Sequence, residues 1–147
     1  MINNVFFIPG AVPSSKNSRI MTRSGMFIAS KATQKYRKLS APYWKKYKAA
    51  FLKLIEGKEL PVIVGMHFVR GSRHRWDFIN PAQTIQDEMT KAGWIEDDNA
   101  DIILPVPLSI NDKYWSYNKS RPGVYITILS SFCEGIITLD DETDNTE

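Results

Sequence analysis

The chain has 147 residues, of which 43% are hydrophobic and 24% charged, with a formal net charge of +3. These are the proportions of an ordinary globular protein, and the length suits one domain with a proper core. They exclude a disulfide scaffold, because Cys133 is the single cysteine, and no apolar run approaches the ~20 residues of a membrane-spanning helix.

The first residues, "NNVFFI", read as a strand from Asn3 to Ile8, ended by Pro9 and Gly10. The preceding Met-Ile has no basic flank, so a secretory leader is not expected and a cytoplasmic location is. Two short apolar pieces around "TRSG" predict a β-hairpin with Gly25 in its turn. Ser30 is the expected N-cap of a helix whose stripe is Tyr36, Leu39, Tyr43, Tyr47, Ala50, Phe51 and Leu54. Pro42 falls inside it and predicts a kink or two consecutive helices. Lys31, Lys35, Lys38, Lys45, Lys46, Lys48 and Lys53 take the opposite side.

After Gly57, "LPVIVGMHFVR" is apolar on both faces, which predicts a strand central in its sheet. "GSRHRWDF" is a basic loop leading out of it. A second helix follows, with Asn80 as expected N-cap, Pro81 at its first position and Gly93 as its stop. Ala82, Ile85, Met89 and Ala92 form its apolar stripe. "DIILPVPLSI" predicts an edge strand, and "KYWSYNKSRPGVYITILS" a final hairpin turning at "NKSRPG". An acidic tail ending "DDETDNTE" has nothing to bury and is expected to be disordered. The division expected is one domain over residues 1–132 and a tail over 133–147. Strands and helices without regular alternation predict an α+β fold, a mixed β-sheet with hairpins packed against two or three helices.

The charge is divided unevenly. Up to Arg75 there are 15 Lys and Arg against two acids, a net of +13; from Trp76 onward the net is −10. Such a split fits nucleic-acid binding, and fits equally a folded dipole with solvated faces. Within the acidic half, Asp77 precedes the second helix and Asp97, Asp98 and Asp101 follow it. Carboxylates from separate elements are what a Mg²⁺ site for phosphodiester hydrolysis needs, with bases such as Arg70, Arg73, His74 and Arg75 beside it. The plainer reading makes Asp77 a partner of the helix N-terminus and "EDDN" a polar turn. Pro81 to Gly93 as helix spans about 20 Å, so Asp77 and Asp98 approach only if the chain doubles back along it.

The run "RHRWDFINPAQTIQDEMTKAGWIEDDNADI" resembles the RusA family of Holliday-junction resolvases, small homodimeric Mg²⁺-dependent endonucleases of bacteria and prophages. The family pattern places its first acid on Asp77, its Asn on Asn80, its helix acid on Asp87, its helix end on Thr90 to Gly93, and its closing pair on Asp97 and Asp98. "VPSSKNSRIMTRSGMFIASKATQKYRK" is similar to the family's front segment, so the resemblance runs from about Asn4 to Leu129. It implies that Asp77 and Asp98 are catalytic and hold Mg²⁺, with Mn²⁺ as substitute; Asp97 assisting in catalysis or Asp101 as a further metal ligand is expected to compensate for a missing family acid, unless Asp77, Asn80 and Asp98 suffice. It further implies that Lys16, Arg19, Arg73, Arg75, Asn80 and Gln83 contact DNA, a four-way junction bound by a homodimer. Two positions depart from the pattern. Ile79 stands where the family has a second acid, and Gln83 where it has a lysine. The competing expectation is a DNA-binding module of the same shape with impaired catalysis; a protein-interaction domain using the acidic tail leaves the basic half unexplained.

Overall fold

A computed structural model describes residues 4–17 and 19–130. The acidic tail therefore lies outside the described residues, as does Asn3 of the expected first strand. The order of elements is β1 (Phe6–Pro9), a short 3-10 turn (Ser15–Asn17), β2 (Arg19–Met21), β3 (Phe27–Ala29), α1 (Lys31–Ile55), β4 (Val62–Arg70), α2 (Ile79–Ala92), β5 (Ile103–Pro107), β6 (Trp115–Tyr117) and β7 (Gly123–Leu129). The architecture is α+β, a five-stranded mixed sheet packed against two α-helices, with β2 and β3 forming a separate two-stranded ribbon.

β4 is central, as its two-faced apolarity required. On one side it pairs antiparallel with β7 along nearly its whole length, and β1 continues the sheet beyond β7. On the other side it pairs in parallel with β5 through its first half and with β6 through its last three residues. β6 and β7 are thus not the expected hairpin, because they lie on opposite sides of β4. The segment between them crosses the end of β4, where Asn118 N–H donates to the Arg70 carbonyl at 2.9 Å. The side chain of Asn118 stiffens the crossing by accepting from the N–H groups of Ser120 and Arg121.

Alternation along β4 sends Val62, Val64, Met66 and Phe68 to the helices, joined there by Phe6, Ile8, Val124 and Ile126. His67 faces the other way and is 1% exposed. Its Nδ1 meets the Leu108 carbonyl at 2.8 Å, and a carbonyl only accepts, so Nδ1 carries the proton. Nε2 then pairs with the Ser116 hydroxyl at 2.6 Å. His67 is thus tied across the sheet rather than aimed at a substrate.

α1 is one helix of 25 residues that runs through Pro42. Pro42 and Lys38 are both exposed, so the carbonyl that loses its partner to the proline faces water. Ser30 caps the helix as expected, accepting from Thr33 N–H. The buried stripe is Thr33, Tyr36, Ser40, Trp44 and Phe51, while Leu39 is 49% exposed and Ala50 is exposed as well. Hydroxyls hold two of the core positions because they are satisfied locally: Ser40 Oγ donates to the Tyr36 carbonyl, and Thr33 bonds Ser30. The lysines of the opposite side are exposed. Among the described residues no helix is long and apolar enough to cross a membrane.

α2 starts at Ile79, and Asn80 is not its N-cap. Phe78 stands at the N-cap position with no side-chain bond of its own, and Asp77, one residue earlier, supplies the capping contact, its Oδ1 accepting from Asn80 N–H at 3.2 Å. At the other end Gly93 takes a left-handed conformation, φ 80°, and Trp94 N–H returns to the Met89 carbonyl. A Cβ on Gly93 would also stand 2.8 Å from Lys48 Nζ. Gly93→Ala is therefore expected to lower stability by about 1–2 kcal/mol, read from urea unfolding. An unchanged midpoint would mean that this cap does not set the end of α2.

Candidate active site

Three segments converge on one face of α2. The 3-10 turn after β1 is tied down by Thr84, whose Oγ1 donates to the Pro13 carbonyl at 2.8 Å. From that turn Ser15 Oγ donates to Asn80 Oδ1 at 3.3 Å, and Lys16 Nζ reaches 3.9 Å from Asp77 Oδ2. The basic loop after β4 delivers Asp77, whose two carboxylate oxygens both accept from Asn80 Nδ2, at 2.7 and 2.9 Å. Asn80 is thus the residue that orients Asp77, and Asp77 offsets the positive end of α2.

The third segment returns from the far end of the helix. Past Gly93, Trp94 and Ile95 are buried, and the chain then doubles back so that Asp98 reaches Gln83. Gln83 Nε2 donates to Asp98 Oδ2 at 2.8 Å and to Asp87 Oδ1 at 3.0 Å. One amide group spends both hydrogens on two carboxylates, which offsets part of their repulsion. Asn80 and Gln83 are three residues apart, neighbours on the helix with Cβ atoms roughly 5–6 Å from each other. Asp77 and Asp98 are thus each held by an amide of α2, Asp77 by Asn80 and Asp98 by Gln83.

The remaining expected acids are placed differently. Asp97 is fully exposed and engaged with its own turn, accepting from Asp98 N–H at 2.8 Å and from Asn99 Nδ2 at 3.1 Å. The Asp98 N–H, and after it the Asn99 amide, hold its pKa below the ordinary carboxylate value. Asp101 is exposed one step on, where its N–H donates to Asn99 Oδ1. Among the described residues no three Asp, Glu, His or Cys come together as a metal-binding group. Asp87, rather than Asp101, is the acid that shares a donor with Asp98. The spacing of Gln83 and Asp87, four residues on a helix, is the signal in the sequence for that pair.

The acids open onto two cavities. Asp77 and Asn80 border one of about 610 Å³, together with Lys16, Arg70 and Arg75. Asp87, Asp97 and Asp98 border the other, of about 490 Å³, with Arg19 reaching in from the β2–β3 ribbon. Arg37 and Lys91 stand at that second cavity too, but both pair with the nearly buried Glu88, at 3.3 and 3.7 Å. Arg73 lies over the ring of Tyr117, 4.1 Å from its centre, and exposed His74 gives its carbonyl to Arg70. Lys119, on the crossing between β6 and β7, borders the first cavity and was beyond the reach of sequence spacing, because only the sheet topology carries it there.

Gln83→Leu keeps the bulk and removes the bridge, leaving Asp87 and Asp98 face to face. We expect a loss of about 1–2 kcal/mol by thermal or urea unfolding, since hydrogen bonds to charged groups are worth about 1.5–3 kcal/mol and this site is half-exposed. No measurable loss would show that the bridge is not maintained in solution. Compared with known proteins, the chain matches no family model and no curated relative.

Proposed function

We propose that the protein is a divalent-metal-dependent endodeoxyribonuclease of the RusA type, acting on four-way or otherwise branched DNA in the cytoplasm during recombination and repair. The observation that carries this reading is the return of Asp98 to the helix face whose start Asp77 caps. Two carboxylates from distant segments each meet an amide of α2, Asp77 in a cavity bordered by Lys16, Arg70 and Arg75, and Asp98 in one bordered by Arg19. The donor set fits Mg²⁺, a hard cation that takes carboxylate and amide oxygens and keeps several waters. Asp77 and Asp98 would hold it, with Asp87 and the amides of Asn80 and Gln83 supporting them. When bound, the ion lowers the pKa of a coordinated water and stabilises charge on the phosphate. The chain's own task is orientation. Asn80 fixes the plane of the Asp77 carboxylate, Gln83 fixes that of Asp98, and the flanking bases hold the phosphate backbone by charge.

Symmetric nicks on opposed strands require two equivalent sites, so the active species is proposed to be a homodimer. The β2–β3 ribbon supports this. Ile20, Met21, Met26, Phe27 and Ile28 are all exposed on it, and a two-stranded ribbon is marginal in water by itself. Phe27→Asp is expected to convert dimer to monomer in light scattering; a variant that remains dimeric would remove the ribbon from the interface.

A second reading, a DNA-binding module with impaired catalysis, is favoured by two features. Gln83 already satisfies Asp87 and Asp98 without a cation, and Ile79 brings no ligand. The readings part under a metal titration. For the nuclease, saturating Mn²⁺ or Mg²⁺ raises the melting temperature, chelator reverses the rise, and Asp98→Asn removes it. The same substitution abolishes paired nicks in a labelled four-way junction while junction binding stays intact or tightens, because a negative charge near DNA is gone. Full cleavage by Asp98→Asn would sink the site assignment; tight binding without metal response or nicks would establish the second reading.

A further inference from the structure

The larger cavity lies at the end of β4, beside Asp77 but extending well past it. Its walls come from the loop after β1, the end of β4, the basic loop, the start of α2 and the crossing between β6 and β7. Four cations, Lys16, Arg70, Arg75 and Lys119, border it against one carboxylate, that of Asp77. Its apolar lining is made by Val12, Phe68, Trp76, Pro81 and Pro122. About 610 Å³ is far more than a phosphate group fills, and falls within the roughly 300–1,000 Å³ typical of small-ligand sites. A strip of phosphate contacts alone would have no use for an apolar, aromatic recess.

Trp76 is the firmest part of that recess. It is half-buried, edge-on to Phe68 at 5.8 Å and to Trp115 at 5.7 Å, so its ring plane is fixed by packing. The Arg70 guanidinium lies 5.1 Å from the ring centre and is anchored by its bond to the His74 carbonyl at 2.6 Å. Among the described residues no carboxylate lies within ion-pair distance of Arg70. Burial lowers its pKa from the ordinary guanidinium value, the mark of a charge partly withdrawn from water.

We infer that this cavity receives a single unpaired nucleotide of the DNA, its base on the apolar side among Trp76, Val12 and Pro122 and its phosphates toward Arg70, Arg75 and Lys119. The inference rests on the DNA-binding reading above and names the feature of the substrate that the protein would select. A base at a branch point has already lost part of its stacking, so drawing it out costs least there, and stacking on an aromatic ring returns about 1–3 kcal/mol. A linear duplex must first pay the whole cost of unpairing. Preference for branched over linear DNA follows from that difference, with no reading of sequence.

The test places 4-thiothymidine at the branch nucleotides of a four-way junction, binds the full-length protein in the presence of chelator, and irradiates. Expected are crosslinks within residues 71–77 or 119–123, located by mass spectrometry, and none when the label sits in the middle of an arm. Gly71 offers the variant: a Cβ there would meet Pro122 at an ordinary 3.7 Å, so Gly71→Leu fits the backbone and fills the wall. It is expected to lose the crosslink and to weaken junction binding about tenfold, with linear duplex binding unchanged. Should Gly71→Leu fail to fold, Lys119→Gln is expected to weaken binding to the junction more than to duplex. Crosslinks confined to other segments, or junction affinity that neither variant changes, would overturn the inference. Because nothing is cleaved under chelator, a protein that captures the nucleotide yet never nicks would refute the nuclease reading alone, and one that nicks without the crosslink would refute this one alone.

Discussion

The burial of Trp94 decides where the chain goes after α2, and the site depends on that direction. Trp94 is 0% exposed, stacked on Phe51 at 4.6 Å and edge-on to Trp44 and Phe6, with its indole N–H donating to the Trp44 carbonyl. Burying an indole of this kind is worth on the order of 4–6 kcal/mol by area. Neighbouring charges in water repel by only about 1 kcal/mol at 4 Å. The anchor therefore wins, and the turn that begins at Gly93 carries "EDD" back toward the helix even though the acids crowd one another there. Packing, not attraction between charges, brings Asp98 to Gln83.

Crowding is then managed by amides rather than by cations. Asn80 donates to both oxygens of Asp77, and Gln83 divides its two hydrogens between Asp87 and Asp98. Lysine is near but loosely engaged: Lys16 stands 3.9 Å from Asp77, and both side chains are mostly exposed, so the pair contributes little. An amide is a different kind of partner from a lysine. Rotated by half a turn about its last bond, it offers an oxygen where it had offered hydrogens. The same two residues that hold the carboxylates in place are thus able to act as donors to anions or as ligands to a cation, without any movement of the backbone.

Adjacent residues made several element ends legible, but not the partners between elements. Ser30 and Gly93 were legible because capping depends on a few adjacent residues. The central place of β4 was legible because a strand covered on both faces must be apolar on both. Asn80 misled, since Asn and Asp three residues apart are both good caps and only the fold decides which carries the helix start. In α1 the apolar pattern missed Trp44 and favoured Leu39, because Ser40 and Thr33 hide in the core by bonding within the helix. The parallel pairing of β6 with β4 was out of reach, as a short segment ending in a turn-rich loop reads as a hairpin whichever strand it joins. At the site, Asp77 and Asp98 are each tied to an amide of α2, whereas Asp101 stays on its own turn and Asp87 is the acid that shares a donor with Asp98.

The two departures from the RusA pattern become one feature when placed on α2. Ile79 and Gln83 are four residues apart on the helix, the spacing at which side chains meet. The acid and the lysine that the pattern expects at these positions would form an ion pair along the helix. Ile79 and Gln83 form a neutral pair there instead, so the helix face carries the same net charge as it would with such an ion pair. Ile79 is 76% exposed and serves neither the core nor the cap, so nothing in the packing demanded it. A lysine at position 83 would pair with Asp87 and Asp98 by charge, and an acid at position 79 would bring a further carboxylate to the end of α2 where Asp77 lies. The neutral pair brings neither, and the Gln83 amide holds Asp87 and Asp98 by hydrogen bonds alone. Ile79 and Gln83 are thus compatible with the hydrogen-bonded placement of Asp77, Asp87 and Asp98 along this helix, which needs no charged pair to hold it.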